Sequence, residues 1–159
     1  MKLSEKINNK TIIYPLRSNS KEETIHELLD YFQNQNYLTG TTKLFSYLNS
    51  GDETFTTAAG RAVAYHYHTS VEVKDTLSVL GISKKGIDYG AVDGLMCHFI
   101  LLILEPTIYP DSHRRIINLF QELTKNPDIK SKLLESGSSN DAALVIKNWE
   151  INNNTNDIL

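Results

Sequence analysis

Apolar residues return along this chain at two spacings, one near 3.6 and one near 2. Ile25, Leu28, Leu29 and Phe32 recur every three or four positions and predict an amphipathic helix that fades in the polar Gln33 to Asn36 stretch. Just before them, Ser20-Lys21-Glu22-Glu23 has the order of a capping box, in which serine and glutamate satisfy free backbone donors reciprocally. Leu44, Phe45 and Leu48 predict a second helix over Thr42–Asn49, stopped by Ser50-Gly51-Asp52. Strands are expected over Ile12 to Leu16, Arg61 to His68 and Thr76 to Ser83, the last closed by a Lys84-Lys85-Gly86 turn. His98 to Leu104 is apolar with no alternating polar residue after its histidine, which suits a strand covered on both faces.

Beyond a loop at Pro106 to Pro110, Ile116, Leu119, Phe120 and Leu123 predict a long helix beginning near Ser112. Pro127 is placed to open a short helix over Asp128 to Leu134. A last helix follows Gly137-Ser138-Ser139 and packs Ala143, Leu144, Ile146 and Trp149. After Trp149 the apolar pattern is lost in Asn152-Asn153-Asn154-Thr155-Asn156-Asp157, so residues 151–159 are expected to form a polar, disordered tail. Interleaved helices and strands argue for an α/β layer structure, with one domain over residues 1–150.

Size and charge narrow the function classes. The 159 residues, 40% of them hydrophobic, suffice for one substantial core. A net charge of −3 gives no general attraction to phosphate backbones or anionic lipid, so neither nucleic acid nor a membrane surface is the expected partner. The amino terminus is polar and lacks the apolar core of a secretory leader, and Phe99 to Leu104 is far shorter than a membrane span; the cytoplasm is the expected compartment. The single cysteine, Cys97, reads as a small buried hydrophobe.

The chemistry concentrates in Thr57-Ala58-Ala59-Gly60-Arg61-Ala62-Val63-Ala64-Tyr65-His66-Tyr67-His68. In an extended segment side chains alternate, so His66 and His68 share one face and Tyr67 takes the other. Two imidazoles on one face suit a metal if His98 or His113 brings a third ligand; ordinary hydrogen-bonded strand histidines are the plainer account. Arg61 forks well onto phosphate oxygens, and is equally suited to a solvated turn. His113 opens a helix, where free N–H groups favour anions. Asp88, Asp93 and Glu105 are the poorer candidates, because acids in turns usually cap and solvate.

This segment continues without a gap into Val73-Lys74, Leu80-Gly81 and Gly86-Ile87-Asp88-Tyr89-Gly90-Ala91-Val92-Asp93-Gly94 before the apolar strand. Together with Asp111 to Leu119 and its His113, that order resembles the IIA domains of the sugar phosphotransferase system, of the fructose, mannitol and nitrogen-regulatory type, over roughly Met1 to Trp149. The resemblance implies a three-layer sandwich, a mixed central β-sheet with helices on both faces. It also implies phosphoryl transfer through histidine, with no cofactor, fed by the phosphocarrier protein HPr. The family segment ends in Pro-His, whose histidine takes the phosphoryl group and is assisted by a second histidine, here His113. In this chain the Pro-His pair reads His66-Tyr67, and two turn glycines read Ala58 and Ala62.

A tyrosine hydroxyl, with a reference pKa near ~10, is a poor phosphoryl acceptor at neutral pH without a base. The expected function is therefore that of a regulatory IIA-like protein acting through protein binding, with HPr or a regulatory target as partner. Tyr65 and Tyr67 would lend aromatic area to such an interface. The alternatives are an active carrier that accepts phosphate on His66 or His68 through a slip or bulge in the strand, and a metal- or ligand-sensing domain using that pair. Thr57, Gly60 and Arg61 are the expected phosphate contacts, beside His66, Tyr67, His68 and His113 as the expected catalytic positions. The opening Met1-Lys2-Leu3-Ser4, ahead of a strand and a capped helix, is similar to stand-alone nitrogen-regulatory proteins and favours regulation over transport.

Overall fold

The computed structural model describes residues 1–50, 58–108, 110 and 112–158. Its elements run α1 (Leu3–Lys6), β1 (Ile12–Ile13), α2 (Lys21–Asn34), α3 (Thr42–Asn49), β2 (Ala58–Gly60), β3 (Val63–Ser70), β4 (Leu77–Ile87), β5 (Cys97–Pro106), α4 (His113–Thr124), α5 (Pro127–Glu135) and α6 (Ser139–Ile158). The strands form one mixed sheet in the order β1-β4-β5-β3-β2. β3 lies parallel to β5 and β1 parallel to β4, whereas β4 is antiparallel to β5 and β2 to β3.

Two cores flank the sheet, one on each face. Ile25, Leu28, Leu29 and Phe32 of α2 and Leu44 and Leu48 of α3 pack against Ala64, Val79, Ile100, Leu102 and Leu104. On the opposite face Ile116, Phe120 and Leu123 of α4, with Leu133, Ala142 and Ile146, cover Val63, Tyr65, Leu80, Ile82, Phe99, Leu101 and Ile103. Hence β5 is buried on both sides, and this is why its sequence does not alternate. Cys97 opens that strand fully buried, and burial pushes its thiol up to about 11. No described helix is long and apolar enough to cross a membrane.

Several expected boundaries move. The first strand is only Ile12–Ile13, because Pro15, joined to Tyr14 by a cis peptide bond, has no N–H for a ladder. Lys84, Lys85 and Gly86 lie within β4 and not in a turn after it. The pairing with β5 shifts register between Ile82 and Ile87, Gly86 takes φ +84°, and its N–H donates to Ser83 Oγ at 3.0 Å. The extra length is thus absorbed as an irregularity inside the strand. Only half of the capping box forms as expected: Ser20 Oγ accepts the Glu23 N–H, while Glu23 Oε2 accepts from Asn19 N–H at 2.8 Å.

The end of the chain also differs from a disordered tail, since α6 runs on to Ile158. Asparagine is a weak helix former, but extending an existing helix adds one hydrogen bond per residue fixed and needs no new nucleus. Glu150, almost fully buried, accepts the Ser4 N–H at 3.2 Å and the Ser4 hydroxyl at 2.5 Å, tying this helix to α1.

Candidate functional site

The alternation expected for β3 holds. Its register with β5 is unbroken from Val63↔Phe99 to Ser70↔Pro106, so no slip or bulge brings a histidine to the position of Tyr67. His66 turns into the core beneath α2 and is 2% exposed. Its Nε2 lies 2.9 Å from the Tyr89 hydroxyl, and its Nδ1 has no hydrogen-bond partner. Burial first, and then the nearby charge of Lys21, lower its pKa to about 3, so it stays neutral. His68, on the same face, places Nδ1 2.7 Å from its neighbour's carbonyl, that of Thr69, and stacks on Tyr47 of α3 with ring centroids 4.8 Å apart.

Tyr67 faces the other way, and its surroundings are built by a residue given little weight in the sequence. Glu105, near the end of β5, is fully buried on the same face as Ile103 and accepts from three groups. The Tyr67 hydroxyl donates to Oε2 at 2.8 Å, the His113 backbone N–H to Oε1 at 2.6 Å, and His113 Nδ1 lies 2.9 Å from Oε2. Thr76 Oγ1 stands further off, 3.4 Å from Oε1. These donors are what a carboxylate out of water requires. The Tyr67 and His113 rings stack with centroids 4.2 Å apart.

Electrostatics makes Tyr67 a poor acceptor of anything anionic. Burial, then the hydrogen bond to Glu105 and its charge, push the phenol up to about 12. A carboxylate only accepts, so the proton between it and His113 sits on Nδ1, and in the neutral ring the lone pair is on Nε2. His113 is 21% exposed, and no described group hydrogen-bonds its Nε2.

Tyr67 and His113 are therefore brought together, while the expected phosphate contacts are not brought to them. Gly60 and Arg61 precede β3, whose span from Val63 to Tyr67 is roughly 13 Å at about 3.3 Å per residue. There the Arg61 N–H donates to Asp93 Oδ2 at 2.7 Å and its carbonyl accepts from Lys130 Nζ at 3.2 Å. The Arg61 N–H is the main reason the Asp93 carboxyl is held below its usual range. Gly60, Arg61 and Ala62 have φ of +80°, +56° and +71°, a left-handed run in which two residues carry a Cβ. Thr57 lies outside the described residues.

The third-ligand idea also fails on placement. His98 precedes Phe99, which pairs with Val63 at the far end of the strand, and its Nδ1 is 2.7 Å from the Ser83 carbonyl. His113 is on the opposite face, committed to Glu105. Among the described residues no three His, Cys, Asp or Glu side chains are grouped to hold a metal.

Glu105 and Tyr89 are the residues missed by sequence reasoning. Glu105 did leave a trace, as the one acid ending a strand buried on both faces. Nothing local marks Tyr89 as a partner of His66.

The sequence model of the family described as "Phosphoenolpyruvate-dependent sugar phosphotransferase system, EIIA 2" matches residues 5–149. The chain is 24% identical over 148 residues to the PTS system fructose-specific EIIABC component of Bacillus subtilis (strain 168), covering 93% of this chain but only 23% of that protein's length. Its fold is similar to that of the nitrogen regulatory protein IIA-Ntr from Neisseria meningitidis, with a TM-score of 0.74 at 17% identity, over 91% of this chain and 98% of the other. It is also similar, with a TM-score of 0.69 at 15% identity over 90% and 98%, to a chain in the complex of enzyme IIAMTL and phosphorylated enzyme IIBMTL from Escherichia coli.

Proposed function

We propose, on the premise that the chain belongs to the phosphoenolpyruvate-dependent sugar phosphotransferase system EIIA 2 family, that it is a regulatory member which docks a protein partner and relays no phosphate through Tyr67. The observation that carries this reading is the bond from the Tyr67 hydroxyl to buried Glu105, with the phenol pushed up to about 12. At neutral pH such a hydroxyl keeps its proton and is a weak nucleophile toward a phosphoryl group. On the other face His66 is enclosed, which weighs against a carrier that uses it.

The rim supports docking. Val71 and Ile108 follow the carboxyl ends of the parallel strands β3 and β5 and are 86% and 71% exposed, and Tyr47 on α3 is half exposed beside His68. Exposed apolar and aromatic area beside a polar cluster suits a protein surface. The partner is HPr or a regulatory target, approaching over the end of the sheet.

The test is incubation with HPr charged by Enzyme I and phosphoenolpyruvate, followed by intact-mass analysis under non-acidic conditions and site mapping. The expected result is no label on Tyr67, His66 or His68, and HPr binding that weakens in Ile108→Asp. Acid-labile label on His66 or His68 would refute the reading and establish a relocated carrier.

A further inference from the structure

We infer that Nε2 of His113 is a phosphoryl-acceptor atom, a modification site beside Tyr67 that leaves the tyrosine itself unmodified. The inference rests on the family reading only for the class of donor, a phosphohistidine protein. The acceptor geometry stands by itself. Glu105 anchors His113 twice, through the backbone N–H at 2.6 Å and through Nδ1 at 2.9 Å, and Tyr67 stacks on the ring. A histidine whose Nδ1–H is held by a buried carboxylate has a fixed tautomer and a fixed ring orientation. What remains free is Nε2, on a ring 21% exposed, with no described hydrogen-bond partner.

The other imidazoles near the strand lack this combination. His66 is enclosed, with its Nε2 against Tyr89, and nothing fixes its free nitrogen toward solvent. His68 sets its Nδ1 against a neutral carbonyl, which balances no added positive charge. Glu105 provides that balance for His113.

The step conserves atoms and electrons. The Nε2 lone pair attacks phosphorus of the donor's phosphohistidine, and the donor N–P bond breaks with its electron pair returning to the donor imidazole. Nδ1 keeps its proton, so the positive charge gained by the His113 ring lies against the Glu105 carboxylate. Arg114 and Arg115, next along α4, are exposed. Tyr67 takes no part in bond making. It packs the ring and shares Oε2.

The experiment uses the full chain with two donors, charged HPr and phosphoramidate, a small phosphoryl donor whose leaving group is ammonia. Tandem mass spectrometry under non-acidic conditions maps the site. One acid-labile phosphoryl group on His113 is expected, falling to background in His113→Gln. Mapping on the unaltered chain decides the matter even if that variant misfolds. In Glu105→Gln, assayed well below its melting temperature, the saturating rate should fall about 10- to 100-fold with an unchanged half-saturating donor concentration, as for loss of a residue that orients a reacting histidine. Label from phosphoramidate alone would support the acceptor atom while overturning a phosphohistidine protein such as HPr as its donor. An unlabelled His113 in a chain that still binds HPr would overturn the inference and leave the docking reading intact. Label on Tyr67, His66 or His68 in place of His113 would overturn both.

Discussion

Glu105→Gln is the most informative single change, because one carboxylate gathers the end of β5, the start of α4 and the ring of Tyr67. Glutamine keeps the shape and one acceptor oxygen, so the perturbation is the loss of charge and the arrival of an NH2 group. Three close donors now face Glu105: the His113 N–H at 2.6 Å, His113 Nδ1 at 2.9 Å and the Tyr67 hydroxyl at 2.8 Å. The amide oxygen can serve the backbone N–H, which cannot move. The amide NH2 then confronts Nδ1 and the tyrosine, each of which must re-orient its proton or lose its partner. Hydrogen bonds to a charged group are worth about 1.5–3 kcal/mol against about 1 for neutral ones, and the lower cost of burying an amide returns part of the difference. The net destabilisation is about 2–3 kcal/mol, or about 5–10 °C in melting temperature for a domain of this size. Urea unfolding gives the same quantity from the midpoint, provided the slope is unchanged. A second readout is independent of stability. Without the carboxylate the Tyr67 phenol should ionise at lower pH than about 12, though burial keeps it above its ordinary value. Absorbance titration follows it, with Tyr67→Phe identifying the signal. A variant within about 0.5 kcal/mol of the parent, or an unmoved tyrosine titration, would refute the central place given to Glu105.

Two further predictions concern the other end of β3 and its other face. Ala62 has φ +71°, so Ala62→Gly should stabilise the fold by about 0.5–1 kcal/mol net of the unfolded-chain entropy that glycine adds, seen as a raised urea midpoint; an unchanged or lower midpoint would show that the left-handed turn carries no strain. His66, with its pKa lowered to about 3 in the fold, lets the unfolded chain bind a proton that the folded chain does not, at every pH between about 6.5 and about 3. Stability that is present in full above about 6.5 should therefore decline by about 1.4 kcal/mol per pH unit as pH falls through that window. His66→Gln lacks this contribution, and equal acid sensitivity in the two proteins would contradict the burial of His66 as a neutral ring.

What was legible in the sequence was whatever neighbouring residues decide among themselves. Helix α3 carries its stripe and its stop signal within a dozen positions, and it forms over the expected Thr42–Asn49. β5 announces its two-sided burial by failing to alternate, and β3 keeps His66 and His68 on one face because no bulge interrupts it. Glu105 was not legible as a hub, since its partners arrive from β3 and from the far side of a loop, and an acid after an apolar run reads as a solvated strand end until both are in place. The extension of β4 through Lys84 and Lys85 was hidden for a related reason: Ser83 and Gly86 look like a turn and act as a register shift. The placement of Gly60 and Arg61 away from His113 depends on which end of a strand a turn occupies, and the phosphate-contact expectation had treated the segment as one neighbourhood.

Adjacent residues on β3 answer to different halves of the molecule. His68 touches Tyr47 of α3, while Tyr67 touches His113 of α4, with the full thickness of the sheet between them. The strand thus behaves as a two-channel probe. A partner that disturbs α3 alters the even-numbered side chains, and one that engages α4 alters the odd-numbered ones. Resonances of His68 and Tyr67 recorded in a single sample would therefore report which side of the protein has been approached, with no label added and no residue changed.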